Sequence, residues 1–218
     1  RRPPASLLAA ILVIVIFALA ISLWNSQPES APPASTPAVP AATLRLAFWN
    51  IRDLSMKSRD AAERALICDV LGDFDVVAIC EINDTKILPA LEAILDARGH
   101  RWESVTSAKV GNSPASAEHY GVLYRDDWLD VAWTRQLPEV TTEAGIPFDR
   151  EPFALGIKTD DGGFDFALVV VHVTWGKSAA LRIAEAKALA GYYRDIALAE
   201  FDTVLAGDLN RDADDERS

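Results

Sequence analysis

Positive charge is scarce in this chain. Its 218 residues carry 21 lysines and arginines against 32 aspartates and glutamates, a net charge of −11. That balance excludes a broad basic surface that would grip nucleic acid by charge alone. It does not exclude a nuclease, because a bound metal can supply local positive charge. Histidine is also scarce, with three residues, so imidazole chemistry has few candidates. Only two cysteines occur, Cys68 and Cys80. They fall in a predicted helix and the strand after it. Either they pair, as an exported protein allows, or they remain two buried thiols. There is no internal repeat and no initiator Met. Apolar surface is plentiful, at 50% of residues, enough for a sizeable core.

The N-terminal part divides by composition. Residues 1–6 are a basic flank containing Arg1-Arg2. Leu7 to Trp24 is an apolar run in which Ser22 is the only clearly polar residue. About eighteen residues just span a bilayer core as a helix, and the arginines before it predict a cytoplasmic N-terminus. A transmembrane anchor is the expectation. A cleaved signal segment ending at Ala18-Leu19-Ala20 is the rival. Both readings place the remainder of the chain outside the cytoplasm, at a periplasmic or cell surface or, after cleavage, secreted. Residues 25–42 are rich in Pro, Ala and Ser and read as an extended tether. The globular part is 43–218.

Apolar runs and turn residues predict strands over Leu44 to Ile51, Asp75 to Ile82, Trp102 to Thr106, Tyr120 to Arg125, Leu129 to Gln136, Phe153 to Lys158, Phe164 to Val173 and Thr203 to Ala206. Asp161-Gly162-Gly163 marks a hairpin. Helices are predicted from a Ser58 cap to Leu71, over Lys86 to Arg98, and over Ser178 to Ala199. Strands that come both singly between helices and in runs give an α/β class with mixed sheets.

Polar residues close several apolar strands, where a core role does not explain them. Asn50, Glu81, His172 and Asp208 each end one, and Asn210 lies two positions beyond Asp208. Strand alternation puts Asp208 and Asn210 on one face. A carboxylate beside an amide suits a hard divalent cation and a phosphate. The bland readings are an ion pair of Glu81 with Arg52 or Arg150, a core role for His172, pairing of Arg150 with its acidic neighbours, and a plain strand aromatic at Tyr120. Trp49, Trp102, Trp128, Trp133 and Trp175 read as core rather than as platforms for bases.

The ordered set Trp49-Asn50-Ile51, Ile79-Cys80-Glu81-Ile82, Glu118-His119-Tyr120, Arg150-Glu151-Pro152, Val171-His172 and Gly207-Asp208-Leu209-Asn210 resembles the endonuclease/exonuclease/phosphatase superfamily. The stretch Phe148 to Pro152 and the Glu-x-Tyr segment before Arg125 are most similar to its deoxyribonuclease I branch. The resemblance implies a four-layer α/β sandwich, with mixed β-sheets between outer helices, here incomplete at the C-terminus. It implies phosphoester hydrolysis with Mg²⁺, Mn²⁺ or Ca²⁺. By position, Glu81 would bind the metal with Asn50 beside it. Asp208 would activate water, Asn210 would hold a phosphate oxygen, and His172 would donate a proton. Tyr120 and Arg150 would brace substrate and developing charge.

The sequence departs from that pattern in two places. The superfamily's closing Asp-His pair has no counterpart, since only Arg211 to Ser218 come after Asn210. The chain therefore reads as a fragment cut at both ends, with an open sheet edge, poor stability and little activity alone. His119 stands where an arginine is more usual, which loosens the substrate assignment. The leading reading is an extracytoplasmic endonuclease acting on DNA as an assumed monomer. A phosphatase or lipid phosphodiesterase of sphingomyelinase type is the enzyme rival, and a non-catalytic binding module is the third.

Overall fold

The computed structural model describes residues 43–176, 178–197 and 202–210. The expected anchor and tether, residues 1–42, and the tail 211–218 lie outside the described residues. Among the described residues no helix is long and apolar enough to cross a membrane.

Among the described residues, eight strands form two four-stranded sheets. The first contains β1 (Leu46–Leu54), β2 (Val76–Ile82), β3 (Trp102–Thr106) and β4 (His119–Arg125), in the order β1-β2-β4-β3. The second contains β5 (Leu129–Gln136), β6 (Phe153–Thr159), β7 (Asp165–His172) and β8 (Thr203–Asp208), in chain order. β1 and β2 are parallel, as are β7 and β8, while the other pairs are antiparallel. Both sheets are thus mixed. The helices are α1 (Ala61–Leu71), α2 (Ile87–Asp96) and α3 (Ala179–Ala197).

Alternation along the strands builds four layers. Val76, Ala78, Tyr120 and Val122 of the first sheet pack on Leu155, Ile157, Leu168 and Val170 of the second. Val77, Ile79 and Leu123 face the other way, onto Ile67 and Leu71 of α1 and Leu88, Leu91 and Leu95 of α2. Ala154, Val169 and Val171 face Leu189 of α3. The order is helices, sheet, sheet, helix, the sandwich expected from sequence.

Element ends differ from the expected ones by a few residues, for local reasons. The cap of α1 is Asp60, not Ser58. Asp60 accepts from the Glu63 N–H at 2.9 Å and its own N–H donates back to Glu63, a reciprocal capping box. Ser58 instead closes a turn with Ser55. The β6–β7 hairpin forms around Asp161 as expected, with Asp161 Oδ1 accepting from Thr159 and from Gly163 N–H.

The two cysteines are free and buried. Cys68 packs in the helix-side core and Cys80 in the core between the sheets. They lie on opposite faces of the first sheet, so the disulfide alternative is excluded geometrically. The tryptophans split. Trp102 is buried and Trp49 and Trp128 pack against the cores, but Trp133 lies over Gly156 on the edge strand β5, and Trp175 is 80% exposed. The core reading fails for Trp175 and for the exposed Trp133.

Candidate active site

Bulges at the strand ends create the site. Along β2, Ile79 and Ile82 both point into the helix-side core, a spacing of three that regular alternation forbids. The register against β4 shifts between them, and Glu81 takes φ 60. On β1 the register shifts between Asn50 and Leu54, with Arg52 and Asp53 at φ 54 and 52. Asn210, just past β8, has φ 50. These four are all the non-glycine residues with positive φ among the described residues. Each left-handed residue costs on the order of 1 kcal/mol, and such strain gathers where geometry is functional.

The bulges turn Asn50 and Glu81 toward the end of β8. Asn50 Nδ2 donates to Glu81 Oε1 at 2.9 Å and to Asp208 Oδ2 at 2.9 Å. Asn50 Oδ1 accepts from Arg52 N–H, and Glu81 Oε2 accepts from Asp53 N–H. Two carboxylate oxygens from different sheets thus converge on one NH₂ group. The carboxylate oxygens of Glu81 and Asp208 are hard donors that fit Mg²⁺, Mn²⁺ or Ca²⁺ rather than a soft metal, whereas the amide nitrogen between them is a hydrogen-bond donor and not a ligand.

Asp208 and Asn210 meet, but not through strand alternation. β8 ends at Asp208, whose Oδ1 accepts from Asn210 N–H at 2.8 Å in a side-chain-closed turn. Asn210 Nδ2 donates to Val173 O at 2.7 Å. Gly207 lets β8 come close enough to deliver Asp208, since a Cβ there would collide with Val171 O.

His172 ends β7 directly opposite Asp208 in register. Its Nδ1–H donates to Glu118 Oε1 at 2.9 Å, and its Nε2 lies 4.0 Å from Asp208 Oδ2. Glu118 Oε2 accepts from Arg150 Nε at 2.7 Å, and its Oε1 also accepts from Glu81 N–H at 3.2 Å. Glu118, Arg150 and His172 are all buried. Glu118 is therefore the hub that joins the Glu81 backbone, the histidine and the arginine. In the sequence Glu118 is one letter of a motif, with no role attached to it. Its position immediately before a strand, like the other site residues at strand ends, was the available signal.

Tyr120 is fully buried, and its hydroxyl accepts from His172 N–H at 3.0 Å. It fixes the histidine backbone from within and has no exposed surface of its own. Burial, and then the Glu118 charge, push its phenol well above the usual range. Burial likewise raises the Cys80 thiol, reinforced by Glu118, Asp208 and Glu81 in that order. One thiol feeling three carboxylates shows how much negative charge is gathered here.

Cys80, Glu118 and His172 place ligand atoms within 4.8 Å of one another. This is not the metal site the donors favour. A thiol is a soft ligand, and both Glu118 oxygens are already engaged by Arg150 and His172. The arginine partners considered for Glu81 are absent from its described ion pairs; Arg150 pairs with Glu118 and, at 3.5 Å, with Asp149. His100 lies away from this rim, against Asp127 and Arg125, and His119 Nδ1 contacts Ser107 O.

Glu185 of α3 is a second organiser that sequence reasoning missed. Its buried carboxylate accepts from Asp149 N–H at 3.2 Å and Thr174 N–H at 2.8 Å, tying together the loop that carries Arg150 and the one after His172. Burial raises its pKa despite these hydrogen bonds. A glutamate on a helix gives no sequence signal for such a role.

No protein-family model matches the sequence. A deoxyribonuclease from Thioalkalivibrio sp. (strain K90mix) is 29% identical over 179 residues, covering 80% of this chain and 48% of that protein. The chain thus spans about half the length of this curated relative. The human Nocturnin catalytic domain with bound sulfate superposes at TM-score 0.61 and 15% identity, over 78% of this chain and 66% of that one. An endonuclease/exonuclease/phosphatase family protein from Bacteroides thetaiotaomicron gives 0.56 and 19%, over 79% and 66%. D. rerio TDP2 complexed with single strand DNA product gives 0.51 and 22%, over 79% and 63%.

Proposed function

We propose, with the endonuclease/exonuclease/phosphatase fold as the premise, that this chain carries a divalent-metal-dependent phosphodiester hydrolase acting on DNA. The observation that carries the reading is the meeting of Asn50, Glu81, Asp208 and His172, from strands of both sheets, at one rim. The relative named deoxyribonuclease and the neighbour holding a single-strand DNA product support a nucleic-acid substrate.

Glu81 and Asp208, with the Asn50 amide between them, would hold the cation. When bound, the metal polarises a phosphoryl oxygen and offsets its charge. The chain's own residues set the rest. Glu118 fixes the His172 ring through Nδ1, which aims Nε2 at the space beside Asp208, where a phosphate oxygen or leaving oxygen can take or give a proton. Asp208 would orient an attacking water, with Asn210 N–H closing the turn on its Oδ1. Arg150 balances the buried Glu118 charge, so its effect on substrate passes through Glu118 and His172.

A phosphatase role is the second reading, favoured by a neighbour described as a mannosyl-6-phosphatase, at TM-score 0.55 and 19% identity. In this proposal the domain works outside the cytoplasm, tethered by residues 7–24, as the apolar run and its arginines suggest. The deciding experiment compares plasmid nicking with release of inorganic phosphate or choline phosphate by the complete native protein in Mg²⁺. Nicking lost with chelator and with His172→Ala supports the nuclease. Headgroup or phosphate release without nicking ends it.

A further inference from the structure

Trp175 is the most exposed large apolar side chain among the described residues, at 80%, and it stands three positions beyond His172. β7 and β8 are parallel neighbours whose ends stay joined past the sheet, through Val173 N–H to Asp208 O and Asn210 Nδ2 to Val173 O. The segment carrying Trp175 therefore leaves from the same rim as Asp208 and Asn210. Leu209, between them, is also exposed.

The exposure is held in place by hydrogen bonds on either side. Before Trp175, Thr174 N–H donates to buried Glu185 at 2.8 Å. After it, Gly176 O accepts from Arg182 Nη1, and Gly176 turns the chain at φ 121. Both anchors sit on α3, so the main chain is tied down while the indole is presented to water. An exposed indole forfeits the burial its surface would otherwise gain, so a flat partner that covered it would gain affinity.

We propose that Trp175 stacks on the base of a nucleotide beside the phosphate held at Asp208 and His172, so that the site takes unpaired nucleotides in preference to an intact duplex. This rests on the phosphodiesterase reading and deepens it. The acidity of the rim supports it. With Glu81, Asp208 and Asp53 nearby and a net charge of −11, phosphate contacts alone attract a polyanion weakly. Stacking is indifferent to charge and recovers affinity by about one to two orders of magnitude per base. A base inside a duplex is covered on both faces and must unstack first. A lipid surface fits less well, because it needs a broad apolar face flanked by lysines and arginines, and the described rim offers Trp175 and Leu209 among carboxylates.

The test uses the complete native protein and two single-stranded oligonucleotides of one length, one bearing bases and one abasic around the scissile position. Wild type is expected to show a kcat/KM at least about tenfold higher on the base-bearing strand. Trp175→Ala should cut that ratio about tenfold, mostly through KM, and Trp175→Phe should restore most of it. An unchanged ratio in a folded Trp175→Ala protein overturns the proposal. If wild type cleaves neither strand, the phosphodiesterase reading fails, and fluorescence anisotropy still decides Trp175: equal binding of both strands by wild type and Trp175→Ala overturns it. Trp175-dependent binding to phosphatidylcholine vesicles without discrimination between the strands overturns it in favour of a lipid.

Discussion

Glu118, just before a strand of the first sheet, lies 2.9 Å from Nδ1 of His172, which ends a strand of the second. This buried pair links the two sheets at the site and depends on Arg150 for its charge balance. Glu118→Gln keeps the shape and removes the charge, leaving the buried Arg150 guanidinium without its nearer carboxylate and with only the longer contact to Asp149 at 3.5 Å. Breaking a buried pair in this way costs about 3 kcal/mol or more. Loss of histidine orientation should lower kcat on the order of a hundredfold. Urea unfolding and turnover measured together check this. A stable, fully active Glu118→Gln protein would show that the pair is ornamental.

Glu81→Ala and Asp208→Ala each remove one of the two carboxylates meeting at Asn50 Nδ2. Each should raise the Mg²⁺ or Mn²⁺ concentration needed for half-maximal activity and lower the rate on the order of a hundredfold or more. Calorimetric titration of Mg²⁺ or Mn²⁺ into wild type and into each carboxylate variant separates binding from turnover. Unaltered metal affinity in both carboxylate variants would move the cation elsewhere.

The thiols give a prediction independent of function. Burial pushes Cys68 up to about 11 and raises Cys80 well beyond its usual range. Thiolate is the reactive form. Native protein at pH 8 should react slowly with a disulfide reagent, and two thiols should titrate at once in denaturant without reductant. A single fast native thiol would contradict the packing of one of them.

Glu185 supplies a pH dependence with a definite sign. Its folded pKa is raised, mainly by burial. Its contribution is therefore fully present below the unfolded carboxylate value, about 4.3, and is lost as pH rises through the higher folded value. Glu185→Gln does not titrate there. The stability of wild type minus that of the variant should fall as pH goes from about 4 to 7. Denaturant unfolding across that range measures it, and a difference that rises with pH would reverse the sign.

Gly207→Ala should damage both stability and site. Its Cβ would press on the Val171 carbonyl, which is backbone and cannot swing aside. Overpacking of this kind costs about 1–3 kcal/mol, and the forced shift of β8 moves Asp208. The measured outcome is a lower melting temperature together with reduced turnover, against a neutral effect if β8 can slide freely.

Local periodicity determined the elements. The runs that became β3 and β5 were legible to the residue, because strand alternation and turn residues are properties of neighbours in sequence. The same pattern made Asn50, Glu81, His172 and Asp208 conspicuous as polar ends of apolar runs. It did not determine which polar residue sits at the hub. Glu118 bonds partners 32 and 54 positions away, and Asn50 reaches Asp208 across 158, distances that only the packing of two sheets closes. Bulges that turn Glu81 outward, the sheet that separates Cys68 from Cys80, and the two anchors that hold Trp175 in water are likewise tertiary. Each depends on which faces meet once the layers stack, and no window of sequence contains both faces.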